Sequence, residues 1–236
     1  MLEGLKRLFG PGETPRQDWS ELSDWVAQHG WQLGRVRDVD GFVVVGALDG
    51  QAWRAEWGPS QRNYIVGSEL RLRAELAGRS EVQALLLTSA LLAELEAKMF
   101  EQIVEDVQTR IDDQTPPEMR WLVMHPRLSA ADMGGLHDRV VAVGPSRSWL
   151  QQWLTPEFAA ALQQAPATAD QPMAMMIARG RLTLRTPVQI PAPVTLAPWL
   201  LLFEAALRAL PDVDVPPSSG LGQPPDSAID PGPPTR

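Results

Sequence analysis

Between Arg79 and Thr115 the chain carries neither proline nor glycine, the longest such stretch in its 236 residues. Within it, Leu85, Leu92 and Met99 fall seven apart, and Leu95, Ile103 and Val107 fill the three- and four-residue steps. That spacing is the apolar stripe of an amphipathic helix. Glu94, Glu96, Glu101, Glu105 and Asp106 supply its wet face. The pattern predicts one helix over 81–108, roughly 40 Å long at about 1.5 Å per residue, a spine against which sheet can pack.

The segments before the spine alternate with a period of two. Ser20–Gln28 reads as a short helix with Ser20 as N-cap and His29-Gly30 as its end. Four strands then follow over Gln32–Val36, Gly41–Leu48, Ala52–Trp57 and Ser68–Leu76. Asp40-Gly41 and Asp49-Gly50 suit the primed turns of hairpins. In the third strand Trp53, Ala55 and Trp57 alternate with Arg54 and Glu56. In the fourth, Leu70, Leu72 and Leu76 alternate with Arg71, Arg73 and Glu75. An antiparallel meander with one buried and one wet face results.

Asp112-Asp113-Gln114-Thr115-Pro116-Pro117 marks a boundary. Beyond it Trp121–Met124 and Val140–Val143 read as strands and Ser146–Gln164 as a helix or helix pair. Met173–Ala178 and Arg181–Arg185 read as a hairpin, and Pro198–Leu210 as a closing helix. The fold class is therefore α+β, with antiparallel meanders packed against long helices. The divisions are an N-terminal helical segment at 1–30, a first lobe at 31–111 and a second at 118–210. Gly58-Pro59-Ser60 and Gly144-Pro145-Ser146 follow strands in the two lobes, and arginine- and leucine-rich strands recur in both, a rhythm compatible with an internal duplication. Pro211–Arg236, with eight prolines in 26 positions and little apolar content, is expected to be disordered.

Composition narrows the function classes. The formal charge is −8, and residues 81–118 alone carry nine acidic side chains against two basic ones. Phosphate backbones are bound by clustered Lys and Arg, so nucleic acid is a poor partner. The chain has no cysteine, which excludes disulfides, thiolate nucleophiles and cysteine-ligated zinc. Only Lys6 and Lys98 are lysines among 21 basic residues, a skew typical of GC-rich bacterial genomes. No stretch reads as a transmembrane span or secretory signal, and cytoplasm is the expected location. Met1–Phe9 places Leu2, Leu5, Leu8 and Phe9 opposite Lys6 and Arg7. It reads as a short helix docking on the body, or as a weak peripheral membrane foot.

Catalytic signatures are sparse. There is no Gly-x-x-x-x-Gly-Lys, no Gly-x-Gly-x-x-Gly and no Gly-x-Ser-x-Gly, so neither a phosphate cradle nor a nucleophile elbow is signalled and no cofactor is expected. His125, Asp132, His137 and Asp138 form the best acid–base set, but their spacing imposes no metal-ligand geometry. Asp38, Asp40 and Asp49 lack the remainder of a calcium loop and read as turn formers. Asp112, Asp113 and Glu118 make a poor carboxylate pair because their segment is a poor scaffold. The most suggestive surface is the loop 58–67 after the Trp53/Trp57 strand, where Trp57, Arg62, Asn63 and Tyr64 are residue types that recur at partner interfaces. The plainer reading folds Tyr64 and Ile65 back onto the sheet. The sequence thus points to a non-catalytic interaction or accessory protein with a protein partner. The alternatives are an enzyme acting on a small molecule near His125–Asp138 and a membrane-associated protein using residues 1–9.

Overall fold

The computed structural model describes residues 19–36, 40–104, 116–168 and 171–212. Met1–Phe9, Asp38, Asp112, Asp113 and the tail beyond Asp212 lie outside the described residues, as does the end of the expected spine.

The meander forms as its alternation requires. Helix α1 (Ser20–Gln28) buries Leu22 and Val26, four apart on one face. Its N-cap is Trp19 rather than Ser20, and Gly30 follows in the left-handed region at φ 69°. Strands β1 (Gln32–Arg35), β2 (Phe42–Leu48), β3 (Gln51–Pro59) and β4 (Ser68–Glu75) pair antiparallel in sequence order. The β2–β3 turn is Asp49-Gly50, with φ 49° and 84°; positive φ at both positions is what a two-residue primed turn demands.

The expected spine is two elements. Ala84–Thr88 is a strand, β5, and the helix α2 begins only at Ser89 and is described over Ser89–Val104. Leu85 and Leu87 point into one core and Ala84 and Leu86 into the other. A strand buried on both faces reads as an unbroken apolar run, and Leu85-Leu86-Leu87 supplied the helical spacing by coincidence. Trp121–Met124 is likewise corrected. It belongs to helix α3 (Pro117–Met124), which has proline in its first turn and buries Met119 and Leu122, three apart. The prolines that close the preceding segment also open this helix.

The rest of the chain is α4 (Ala130–Met133), a 3-10 turn at Gly134–Leu136, β6 (Val140–Val143), α5 (Arg147–Trp153), α6 (Pro156–Gln164), β7 (Ala174–Ala178), β8 (Arg181–Pro187) and α7 (Pro193–Arg208). Ser146 and Thr155 cap α5 and α6, accepting hydrogen bonds from the Trp149 and Phe158 amides. All eight strands join one antiparallel sheet in the order β1-β2-β3-β4-β8-β7-β5-β6. The sheet is continuous through the expected lobe boundary. β4 pairs with β8, and β5, from the first stretch, lies between β7 and β6 of the second. The halves also differ in topology. The first is a plain meander, whereas in the second the earlier strand β5 is inner and β6 is at the edge.

The two faces of the sheet are unequally covered. On one, α1, α5, α6 and α7 bury Phe42, Trp53, Trp57, Leu70, Leu72, Leu86, Met175 and Leu184 in a core spanning β2 through β8. On the other, α2, α3 and the loop residues Tyr64 and Ile65 cover β5, β6 and β7 through Leu85, Leu87, Leu91, Leu95 and Val143. The β3, β4 and β8 residues facing that side are charged or polar instead: Arg54, Glu56, Arg71, Arg73, Thr183 and Arg185. Of these, Arg71 and Arg185 are buried, and Arg54 and Arg73 remain accessible.

Candidate interaction surface

Cross-strand register assembles the charges of the open half. Glu56 on β3 stands opposite Arg71 on β4, which stands opposite Arg185 on β8. The next row sets Arg54 opposite Arg73 and Arg73 opposite Thr183. Directly opposed side chains lie about 5 Å apart at Cβ, close enough for long charged groups to share partners. Glu56 is held by three guanidinium groups: Arg54 Nε at 2.7 Å, Arg71 Nη2 at 3.4 Å and Arg73 Nη1 at 3.7 Å. The two carboxylates Glu56 and Glu69 stand against the four guanidiniums of Arg54, Arg71, Arg73 and Arg185, so this corner is electropositive in an acidic chain. Arg71 is the deepest of the three, and its Nε and Nη1 are buried without a hydrogen-bond partner. Burial lowers the Arg71 pKa, against the pull of Glu69 and Glu56, and the neighbouring Arg185 and Arg73 lower it further.

A second, more enclosed network borders this array. Glu69 is fully buried, binds Arg185 Nη1 through Oε1 and accepts the Gln61 amide at 2.8 Å through Oε2. Glu118, at the start of α3 and 2% exposed, accepts from Arg62 Nε at 3.1 Å and from the Tyr64 hydroxyl at 3.0 Å, both at Oε1. Its Oε2 has no partner. Burial pushes the Tyr64 hydroxyl pKa well up, and the Glu118 carboxylate pushes it further. Burial works against the Arg62 charge, but Glu118 more than offsets it and the pKa is raised.

The four residues expected at a partner interface therefore have different fates. Trp57 is buried, donates Nε1–H to the Val188 carbonyl at 2.6 Å and stacks on Phe42. Tyr64 is buried against α3, so neither aromatic offers an anchor at the surface. Arg62 is half-buried on Glu118, and only Asn63 is exposed. The loop is also tied down. Ser60 N bonds the Gly67 carbonyl at 3.1 Å, the Ser60 hydroxyl donates to the Arg62 carbonyl at 2.8 Å and Gln189 Nε2 bonds Val66 O at 2.8 Å.

The acid–base set does not gather into a cleft. Asp132 closes the capping box of α4 with Ser129 and accepts from Arg147 at 2.6 Å and Gln151 at 2.8 Å. The hydrogen bonds from Arg147 and Ser129 hold its pKa down to about 2. His137 Nδ1 pairs with the Gly134 carbonyl at 2.8 Å, and its Nε2 lies 3.0 Å from Asp138 on the exposed surface. His125 ends α3 edge-on to Trp121, and burial lowers its pKa. Among the described residues no three His, Asp or Glu side chains are grouped as metal ligands would be. No helix there is long and apolar enough to cross a membrane.

The Arg54–Glu56–Arg71–Arg73 array, with Arg185 beside it, was not legible as a site in the sequence. Its alternation was visible, but the neighbour β8, more than a hundred residues downstream, was not.

No family model and no curated protein sequence matches this chain. Among solved structures it is similar to the crystal structure of the mycobacterial trehalose monomycolate transport factor A, TtfA. That similarity covers 81% of this chain and 94% of that one at 12% identity, with a TM-score of 0.44. A likeness of this strength assigns no function, and the chemistry of the site rests on the residues above.

Proposed function

We propose that the chain is a non-catalytic interaction protein of the bacterial cytoplasm that docks an acidic segment of a protein partner on the open half of its sheet. The observation that supports this reading is the sharing of Glu56 by Arg54, Arg71 and Arg73, of which Arg54 and Arg73 are accessible from solvent. Arginine forks match carboxylates bidentately, so a surplus of guanidinium beside a sheet selects acidic side chains. Arg54 and Arg73 are reachable from solvent and would meet the partner first. The half-exposed Arg62 and the exposed Asn63 border the same region, which keeps part of the 58–67 loop in the interface.

The test is affinity capture from the native organism with three forms of the full chain. Arg54→Gln with Arg73→Gln should lose the captured partner while the fold is retained. A triple variant, His125→Ala, His137→Ala and Asp138→Asn, should keep it together with any cellular phenotype. The opposite pattern, loss with the histidine variant and retention with the arginine variant, refutes the binding reading and favours an enzyme.

A further inference from the structure

Where the β2–β3 turn, the chain leaving β4 and the last turn of α7 converge, the protein forms a cavity of about 330 Å³. Its floor is Leu48, Leu76, Leu207 and Leu210. The period of two along β2 turns Leu48 to the same side as Phe42 and Val44. Leu207 lies four residues after Phe203 on the core face of α7. The apolar core therefore runs out into this cavity instead of closing beneath polar side chains. The rim is charged, with Asp49 and Arg208 exposed and Arg79 half-buried. Its two guanidiniums are not equivalent. Arg208 is already paired, Nε 3.4 Å from Asp49 and Nη1 3.8 Å from Glu204. Arg79 donates through Nη1 to the Pro211 carbonyl, and among the described residues no carboxylate pairs with it. A neutral carbonyl fixes the guanidinium without cancelling its charge, and leaves the Nε and Nη2 fork for a ligand.

We infer that this cavity binds a small apolar carboxylate, its acid group on Arg79 and its hydrocarbon part over the leucine floor. The size fits. Small-molecule sites run from about 300 to 1,000 Å³, and at about 30 Å³ per water-sized group this one takes about ten non-hydrogen atoms, as in octanoate. The charge selects the sign of the ligand. Arg79 and Arg208 stand against Asp49 alone in the lining, an excess of one positive charge in a chain of net charge −8. A carboxylate on the free fork of Arg79 makes charge-assisted hydrogen bonds, whereas an amine would meet that excess charge. The apolar floor rewards a hydrocarbon tail, which acetate lacks. The lining shares no residue with the arginine array on the open half, so the inference stands apart from the docking of an acidic partner.

The test is isothermal titration calorimetry of the full chain with octanoate, hexanoate, acetate and octanol. Octanoate should bind once per chain, and hexanoate, two methylenes shorter, roughly tenfold more weakly. Octanol, which has the tail without the charge, and acetate, which has the charge without the tail, should each bind at least about tenfold more weakly than octanoate. Arg79→Gln should weaken octanoate at least about tenfold, and Arg79→Lys by less, because it keeps the charge and loses the fork. Ala77→Trp, at the exposed mouth, should block the cavity. Arg54→Gln with Arg73→Gln should leave octanoate binding unchanged. If Arg79→Gln fails to fold, the octanol comparison and Ala77→Trp decide the question. No octanoate binding, several octanoate sites per chain, or equal affinity for octanoate and octanol would overturn the inference. So would octanoate binding that survives Arg79→Gln or Ala77→Trp, or that is lost with Arg54→Gln and Arg73→Gln.

Discussion

The two faces of the sheet are built on opposite principles. The helix-covered face is an apolar core in which Trp153, Trp199, Phe42, Phe158 and Phe203 are all but inaccessible. The other face is divided. Its β5–β7 half is apolar under α2 and α3, and its β3–β4–β8 half carries guanidinium and carboxylate groups. Apolar burial comes from the whole of the first face and from the β5–β7 half of the second, where Leu85, Leu87, Leu91 and Leu95 are buried. On the charged half Arg71, Arg185 and Glu69 are buried, and the accessible Arg54 and Arg73 are the groups left to a partner, since exposed ion pairs contribute only about 0–1 kcal/mol each.

Mutations on the two faces should separate by size. Phe203→Ala on the closed face should cost about 3–5 kcal/mol in denaturant unfolding, whereas Arg54→Ala on the open half should change stability by less than about 0.5 kcal/mol. Comparable losses would merge the two faces into one structural core.

Glu118 tests the border between them. Glu118→Ala strands the Tyr64 hydroxyl and half-buried Arg62, and should cost about 2–3 kcal/mol after allowing for solvent access to Arg62. A double-mutant cycle with Tyr64→Phe should show non-additivity. Full additivity would mean that the 3.0 Å contact contributes nothing.

Arg71 sharpens the comparison further. A buried guanidinium with two unpartnered nitrogens is a poor stabiliser, so Arg71→Met should stay within about 1 kcal/mol of wild type or be more stable. A cost of several kcal/mol would make Arg71 a structural group. The smallest effect belongs to Asp132. Its folded pKa of about 2 lies below the ordinary carboxylate value, so its contribution is present above roughly pH 4 and is lost as pH falls toward 2. Asp132→Asn should therefore differ from wild type at pH 6 and converge with it in acid. A gap that widens in acid would contradict the assignment.

The legibility of the fold followed the same division. Trp53/Ala55/Trp57 and Leu70/Leu72 announced the meander, because a strand wet on one side alternates visibly. Leu85–Leu87 concealed β5, because a strand buried on both sides has no alternation to read. Tyr64 shows the limit for the site. Its residue type pointed to an interface, whereas Glu118, 54 residues away, draws it inward. The arginine array lay half in view, since Arg71 and Arg73 alternated correctly but Arg185 joins them only through the β4–β8 pairing.

The most direct measurement of the central claim is a fluorescence-anisotropy titration of the full chain with a glutamate-rich peptide and its glutamine counterpart. The acidic peptide alone should bind, with an affinity weakened by salt and reduced at least about tenfold by Arg54→Gln with Arg73→Gln, a loss of roughly 1.4 kcal/mol. Equal affinity for both peptides, or an affinity that the arginine substitutions leave unchanged, would contradict it.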